Sequence, residues 1–277
     1  MTILSKISYA YDRIVPLALP DHRLQVLSGA EIGAFGEAAN LLLSPHFDDI
    51  CFSLGAFVRR VRSGTMVNIF TRGSHVPIDA ETPRSVEAVH ALRDREDEGF
   101  ARMVGLRRID LRLEEPSLRR RGSRNLAGVE QDMGQIVRPL AEQIDRFRES
   151  FASVPRNLFC PAGVGNHANH VAVARFVIER HAALASDFRI FFYEEFPYIL
   201  SPRWRRIGVK RLLRSFPGIR GNRLAIPIGD LEAKRELVGC YPSQLAPADF
   251  GRFWRSSPQC PEPHEALWEF ARSPRDD

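Results

Sequence analysis

An α/β fold, with a mostly parallel sheet sandwiched between helices, is what three features of this 277-residue chain predict. Short apolar runs alternate with amphipathic helical stretches through the middle of the sequence, the signature of crossover βαβ units. No internal repeat or low-complexity tract breaks the alternation. Two peptides, one with a histidine and two aspartates and the other with two histidines, follow directly on two of the apolar runs, which places them where ligands of such sheets bind, at the carboxyl ends of strands.

Residues 1–37 read as a lead-in with little periodicity. The run ANLLLSP at 39–45 predicts a buried first strand, and residues 50–63 carry apolar positions at helical spacing, with Gly64 placed as a C-cap. MVNIFTR at 66–72 is the second strand, and residues 73–83 a loop. A charged helix is predicted from about Arg84 to Val104, stopping at Gly105, and RRIDLRL at 107–113 as a third strand. After an Arg/Gly/Ser loop at 116–126 come an amphipathic helix at 128–149, a fourth strand at 156–163, a helix at 170–185 and a fifth strand at 188–198. Residues 202–223 are basic and interrupted.

Composition narrows the function. Hydrophobic residues make up 44% and charged residues 26%, an ordinary balance for a globular protein. No stretch approaches the roughly 20 apolar residues of a membrane span, and the N-terminus lacks the apolar core of a secretory signal, so a cytoplasmic location is expected. Cys51, Cys160, Cys240 and Cys260 are far apart with no CxxC pair, which predicts reduced thiols rather than a disulfide framework or a cysteine metal site. The net charge of +5 is almost entirely arginine, since lysine occurs only at positions 6, 210 and 234.

The two peptides are Ser44-Pro45-His46-Phe47-Asp48-Asp49 and Gly163-Val164-Gly165-Asn166-His167-Ala168-Asn169-His170. One imidazole and one carboxylate from the first, with one imidazole from the second, make the three-ligand shell of a catalytic zinc, whose fourth position is left for water. A second carboxylate beside the shell suits a general base. The remaining histidine suits stabilisation of an oxyanion or protonation of a leaving amine. His22, His75, His90, His181 and His264 have no such setting.

These residues resemble the PIG-L/LmbE-like zinc deacetylases, whose first motif is Pro/Ala-His-Pro-Asp-Asp-Glu and whose second is His-x-Asp-His. The resemblance implies a Rossmann-like domain, with His46, Asp49 and His170 as metal ligands, Asp48 as general base and His167 at the oxyanion or leaving group. It further implies zinc as the cofactor, with iron(II) an alternative in the cell. Arg93-Asp94-Arg95-Glu96-Asp97, followed by Val104-Gly105, resembles the family's Arg-x-x-Glu helix, and Arg93 matches a substrate-contacting arginine. Tyr193-Glu194-Glu195-Phe196-Pro197-Tyr198 and Tyr241-Pro242-Ser243-Gln244 resemble two later segments of one branch, and the acidic first of these, through Glu194, is expected at the substrate. Phe47, Ile50 and Asn169 depart from the motifs, yet none removes a ligand or the base.

The reading is a single domain over 1–277 with its core at about 39–245. It would remove an acetyl or short acyl group from the amine of an N-acetylated amino sugar or glycoconjugate. The rival is a carbohydrate- or partner-binding protein that keeps the fold without catalysis; a binder has no need of Asp48. A nucleic-acid or membrane-surface role for residues 202–223, with Trp204 and Phe216 stacking among arginines, is a further rival and is not expected.

Overall fold

The computed structural model describes residues 23–74, 76–77, 85–246, 249, 253–257 and 260–270. The loop expected at 73–83 lies mostly outside these residues, as do His22 and His75.

Among the described residues, nine strands form one sheet: β1 (Arg23–Val26), β2 (Ala39–Ser44), β3 (Thr65–Arg72), β4 (Arg107–Glu114), β5 (Arg156–Pro161), β6 (Arg189–Tyr193), β7 (Asn222–Pro227), β8 (Arg255–Ser257) and β9 (Cys260–Glu269). Their order is β1-β7-β9-β6-β5-β2-β3-β4, with β8 paired to β9. The helices are α1 (Gly29–Ala34), α2 (Asp49–Val61), α3 (Val86–Val104), α4 (Val129–Ser150), α5 (Ala168–Glu179), α6 (His181–Leu184), α7 (Pro202–Arg214) and α8 (Leu231–Val238).

Central strands covered on both faces must be apolar throughout. Leu41, Leu42 and Leu43 of β2 are all fully buried. β2 pairs in parallel with β3 on one side and β5 on the other. From β2 the chain winds outward through α2 to β3 and α3 to β4; from β5 it winds the opposite way through α5 to β6. The boundary between β2 and β5 is therefore the topological switch point, where loops leave in opposite directions and open a crevice. Both histidine motifs stand on that crevice.

The five strands expected from 39 to 198 are all present, in parallel register. The sheet also continues beyond them. β9 runs antiparallel between β6 and β7, so residues 260–269 form an interior strand of the sheet. The basic stretch is in large part α7, begun by the Ser201 side-chain cap and Pro202. The expected helix at 170–185 divides into α5 and α6 at Arg180. The helix ending at Gly105 stops as predicted, with that glycine left-handed at φ 75°. α2, by contrast, ends at Val61 on a left-handed Arg62 rather than at Gly64. No helix among the described residues is long and apolar enough to cross a membrane.

Candidate metal and active site

The first motif turns sharply from β2 into α2. Ser44 Oγ donates to the His46 carbonyl at 2.5 Å, and the His46 amide donates to Asp49 Oδ2 at 2.8 Å. This closes the loop and aims both side chains into the crevice. The second motif leaves β5 through Gly163 and Gly165, both left-handed. A Cβ on Gly165 would lie 2.3 Å from Tyr198 Cγ, so only glycine lets Tyr198 pack edge-on against His170, with centroids 5.5 Å apart. The Gly163 and Val164 amides donate to Glu195, at 2.7 and 3.1 Å. Arg211 of α7 donates to Asn166 Oδ1 at 2.7 Å and also to the Gly163 carbonyl.

Three donor atoms converge. His46 Nδ1 lies 3.2 Å from Asp49 Oδ2, His170 Nε2 lies 3.4 Å from the same oxygen, and the two ring nitrogens are 3.3 Å apart. A tetrahedral zinc with bonds of about 2.0–2.1 Å holds its ligand atoms about 3.3–3.4 Å from one another. The triangle fits that ion. His46, His167 and His170 also cluster, with ring nitrogens within 4.8 Å of one another, while the atoms of the set with Asp49 lie within 3.4 Å of one another.

The far side of each ring is held as ligation requires. His170 Nδ1 faces Glu195 Oε1 at 3.4 Å, in a pocket where both side chains are fully buried. A carboxylate there keeps the proton on Nδ1 and the lone pair on Nε2. His46 Nε2 lies 3.1 Å from the Asn169 amide nitrogen, while Asn169 Oδ1 is buried without a partner. Turning that amide by half a rotation, a change of assignment rather than of shape, lets Oδ1 accept from Nε2–H and frees Nδ1 for a metal. Asn169 thus has the means to perform the hydrogen bond of the family's aspartate without its charge.

Charges reinforce the cradle. Burial works to raise the Asp49 carboxyl, but His170 and His46 hold it below the usual carboxylate range. Burial works to lower His170, but Asp49 and Glu195 carry it above the ordinary histidine value. Burial raises Asp48, against Arg93, whose Nη2 sits 3.5 Å from Asp48 Oδ1. His167 is driven well below its ordinary value by burial and by the neighbouring His46, His170, Arg124 and Arg93. Its Nδ1 is buried without a partner.

His46, Asp48, Asp49, His167 and His170 are thus brought together. Arg93 stands beside them, only 5% exposed, with its guanidinium held by Glu115 at 2.9 Å and by Asp48. Its contact here is with Asp48 and not with open solvent. Glu194 does not reach the site. Neighbouring residues of an extended segment face opposite ways, and Glu195 is the one directed at the metal cradle. Glu194 is fully buried on the other side, where its oxygens accept from Arg205 at 2.7 and 2.8 Å, from Arg223 at 2.8 Å and from Trp268 Nε1 at 2.9 Å. Glu194→Ala should remove the carboxylate that two buried guanidiniums share and lower stability by about 3–5 kcal/mol, read as a shifted urea midpoint. Metal bound per folded molecule should stay unchanged; its loss would return Glu194 to the site.

Residues beyond the two motifs complete the frame. The Tyr241 hydroxyl bridges the Phe47 carbonyl at 3.0 Å and Asp97 at 2.7 Å. Ser243 donates to Glu96 through its amide and its hydroxyl, at 2.8 and 2.6 Å. Phe47 is fully buried beside His90, and Ile50 lies in the core. Phe216 is buried in a stack on Phe270, with centroids 4.1 Å apart, which removes it from any base-stacking surface.

Two histidines and a carboxylate thus meet at the switch point of a mostly parallel sheet. The PIG-L family model, described as GlcNAc-PI de-N-acetylase, matches residues 41–181. That stretch is half of the chain and contains the whole cradle, and the protein belongs to this family. No curated protein matches it in sequence. Among solved structures, the zinc-inhibited form of teicoplanin deacetylase is 15% identical with a TM-score of 0.59, covering 86% of this chain and 100% of that one. An antimicrobial pseudoaglycone deacetylase is 18% identical at 0.58, covering 85% and 98%. A 4-carboxy-2-hydroxymuconate hydratase from Pseudomonas putida is 13% identical at 0.54, covering 87% and 99%. At such identities the likeness is one of fold.

Proposed function

We propose that the protein is a zinc-dependent hydrolase that removes an acetyl or short acyl group from the amine of an N-acetylated amino sugar or glycoconjugate. The observation that carries this reading is the triangle of His46 Nδ1, Asp49 Oδ2 and His170 Nε2, with Asp48 unused by it. Family membership supports the reaction class. His46, Asp49 and His170 would hold a zinc ion, which would supply an acidified water and an electrophile for the acyl carbonyl; the same donors suit iron(II).

The chain's own groups divide the remaining work. Asp48 takes the water's proton as general base, and Arg93 fixes its carboxylate on one side. The water oxygen bonds to the acyl carbon, the carbon–nitrogen bond breaks, and the proton held by Asp48 passes to the leaving nitrogen, giving acetate and a free amine. His167, whose Nδ1 has no partner in the protein, donates a hydrogen bond to the carbonyl oxygen as charge gathers there. Glu195 and Asn169 keep the two ligand rings in their working tautomers.

Arg124, whose charge acts on His167, favours a substrate with an acidic substituent beyond the amide. Exposed Arg124 lies over the Trp204 ring at 5.2 Å, and Arg203 lies over the same ring at 5.7 Å. Arg124→Ala should raise KM about 3- to 10-fold on an acidic glycoconjugate, in line with the modest worth of an exposed charge pair, with kcat unchanged. An equal effect on neutral substrates would contradict this assignment. The test of the activity is a panel of N-acetyl sugars, nucleotide sugars and aminoglycoside intermediates incubated with zinc-loaded protein, with released amine and acetate read by mass. Retained binding without release across the panel would favour a non-catalytic binder.

A further inference from the structure

α2 is not one helix. Leu54, at φ −132° and ψ 16°, breaks it between a first turn at 49–53 and a second segment from Gly55 to Val61. In an unbroken helix the Ala56 amide would donate to the Phe52 carbonyl. Here each of those groups meets one half of a buried ion pair. Lys234 Nζ of α8 donates to the Cys51 carbonyl at 2.7 Å, to the Phe52 carbonyl at 2.9 Å and to Glu265 at 2.7 Å. Glu265 of β9 accepts from the Ala56 and Phe57 amides, both at 2.9 Å. Lys234 is 1% exposed and Glu265 0%. All three ammonium protons and both carboxylate oxygens are used.

We propose that the Lys234–Glu265 pair is a positioning device for the turn that carries Asp48 and Asp49. A single helical turn has too few hydrogen bonds to hold itself, and a break exposes orphan carbonyls on one side and orphan amides on the other. Lys234 closes the first set and Glu265 the second, so the pair joins the site-bearing turn to the rest of the helix through two charges. Gly55 completes the fit, since a Cβ there would lie 3.0 Å from Lys234 Nζ. Both residues lie outside the 41–181 segment that defines the family. A pair whose contribution was only bulk stability could be replaced by apolar side chains; this pair makes four directed bonds to backbone groups at one break.

The experiment compares Lys234→Met/Glu265→Gln, which removes both charges together, with Arg59→Ala/Glu236→Ala. The control breaks an exposed 3.2 Å ion pair that also joins α2 to α8. Hydrogen exchange on each full-length protein should show faster exchange at 49–53 in the first variant alone, with the exchange of β2 and β5 unchanged. The part concerning the metal rests on the proposed function. Cobalt(II) added as the probe should bind the first variant about 10- to 100-fold more weakly, with an altered visible spectrum, the range seen for outer-shell residues, and kcat should fall at unchanged KM. A folded double variant with wild-type exchange at 49–53 and a wild-type cobalt spectrum would overturn the proposal. If that variant does not fold, Lys234→Arg/Glu265→Asp, which keeps both charges and moves them, is judged by the same two readouts. If the wild-type protein binds no cobalt, the metal reading fails, and hydrogen exchange alone decides the positioning role.

Discussion

Alanine at His46, Asp49 or His170 should each strip the protein of a divalent ion that the wild-type chain holds at about one per molecule. Removing any one donor leaves two protein ligands where a catalytic zinc has three. The loss should therefore exceed the about 10- to 100-fold weakening typical of outer-shell changes such as Glu195→Gln. Elemental analysis after dialysis measures it, and unchanged metal in all three variants would dismiss the cradle. Affinity should also depend on pH with a defined sign, because protons and the ion compete for His170 Nε2. Asp49 and Glu195 carry His170 above its ordinary value against the pull of burial. Metal is then lost as pH falls through that raised value, and the loss should begin above the ordinary histidine range near about 6.5. Removing Glu195's charge should move the onset to lower pH.

Asp48→Asn should separate two adjacent carboxylates by function. The amide cannot take a proton from water, so kcat should fall by roughly 10² to 10⁴, the range for a lost general base, while metal content stays at the wild-type level. Asp48 does not belong to the 3.2–3.4 Å triangle, and the residue it touches is Arg93. Asp49→Asn should instead lose metal and rate together. The paired measurement is metal content and single-turnover rate on each variant. Metal lost from Asp48→Asn and kept in Asp49→Asn would exchange the two roles. Glu at position 48 should keep partial activity, since a longer stem still presents a carboxylate to the water.

The sequence made the switch-point crevice legible because its information there is local. A run such as ANLLLSP can only be a buried strand, and a histidine motif at its end must sit at the sheet's carboxyl edge. What it could not show depends on facing or on distance along the chain. Glu194 and Glu195 are chemically alike, and only the twist and pairing of β6 decide that Glu195 meets His170 while Glu194 meets Arg205 and Arg223. Arg93 carries the family's pattern, but its engagement by Glu115 arises from a loop more than twenty residues away. β7 and β9 were missed because β9 enters antiparallel between β6 and β7, a placement set by tertiary context and not by local periodicity. Tyr241 was visible as a motif, yet nothing in its neighbours revealed that its hydroxyl would reach the Phe47 carbonyl.

The position of β9 ties the order of synthesis to the order of assembly. Residues 39–193 supply five parallel strands and every group of the metal cradle, and they leave the ribosome first. Until residues 260–269 follow, β6 and β7 have no strand between them, and each presents an unpaired edge of the kind that recruits other chains. Glu265, the partner of Lys234 at the α2 break, arrives on that same late strand. A nascent chain of this protein therefore holds all its site residues before it holds the means to set them, and its vulnerable interval on the ribosome is the time taken to translate the span from β6 to β9.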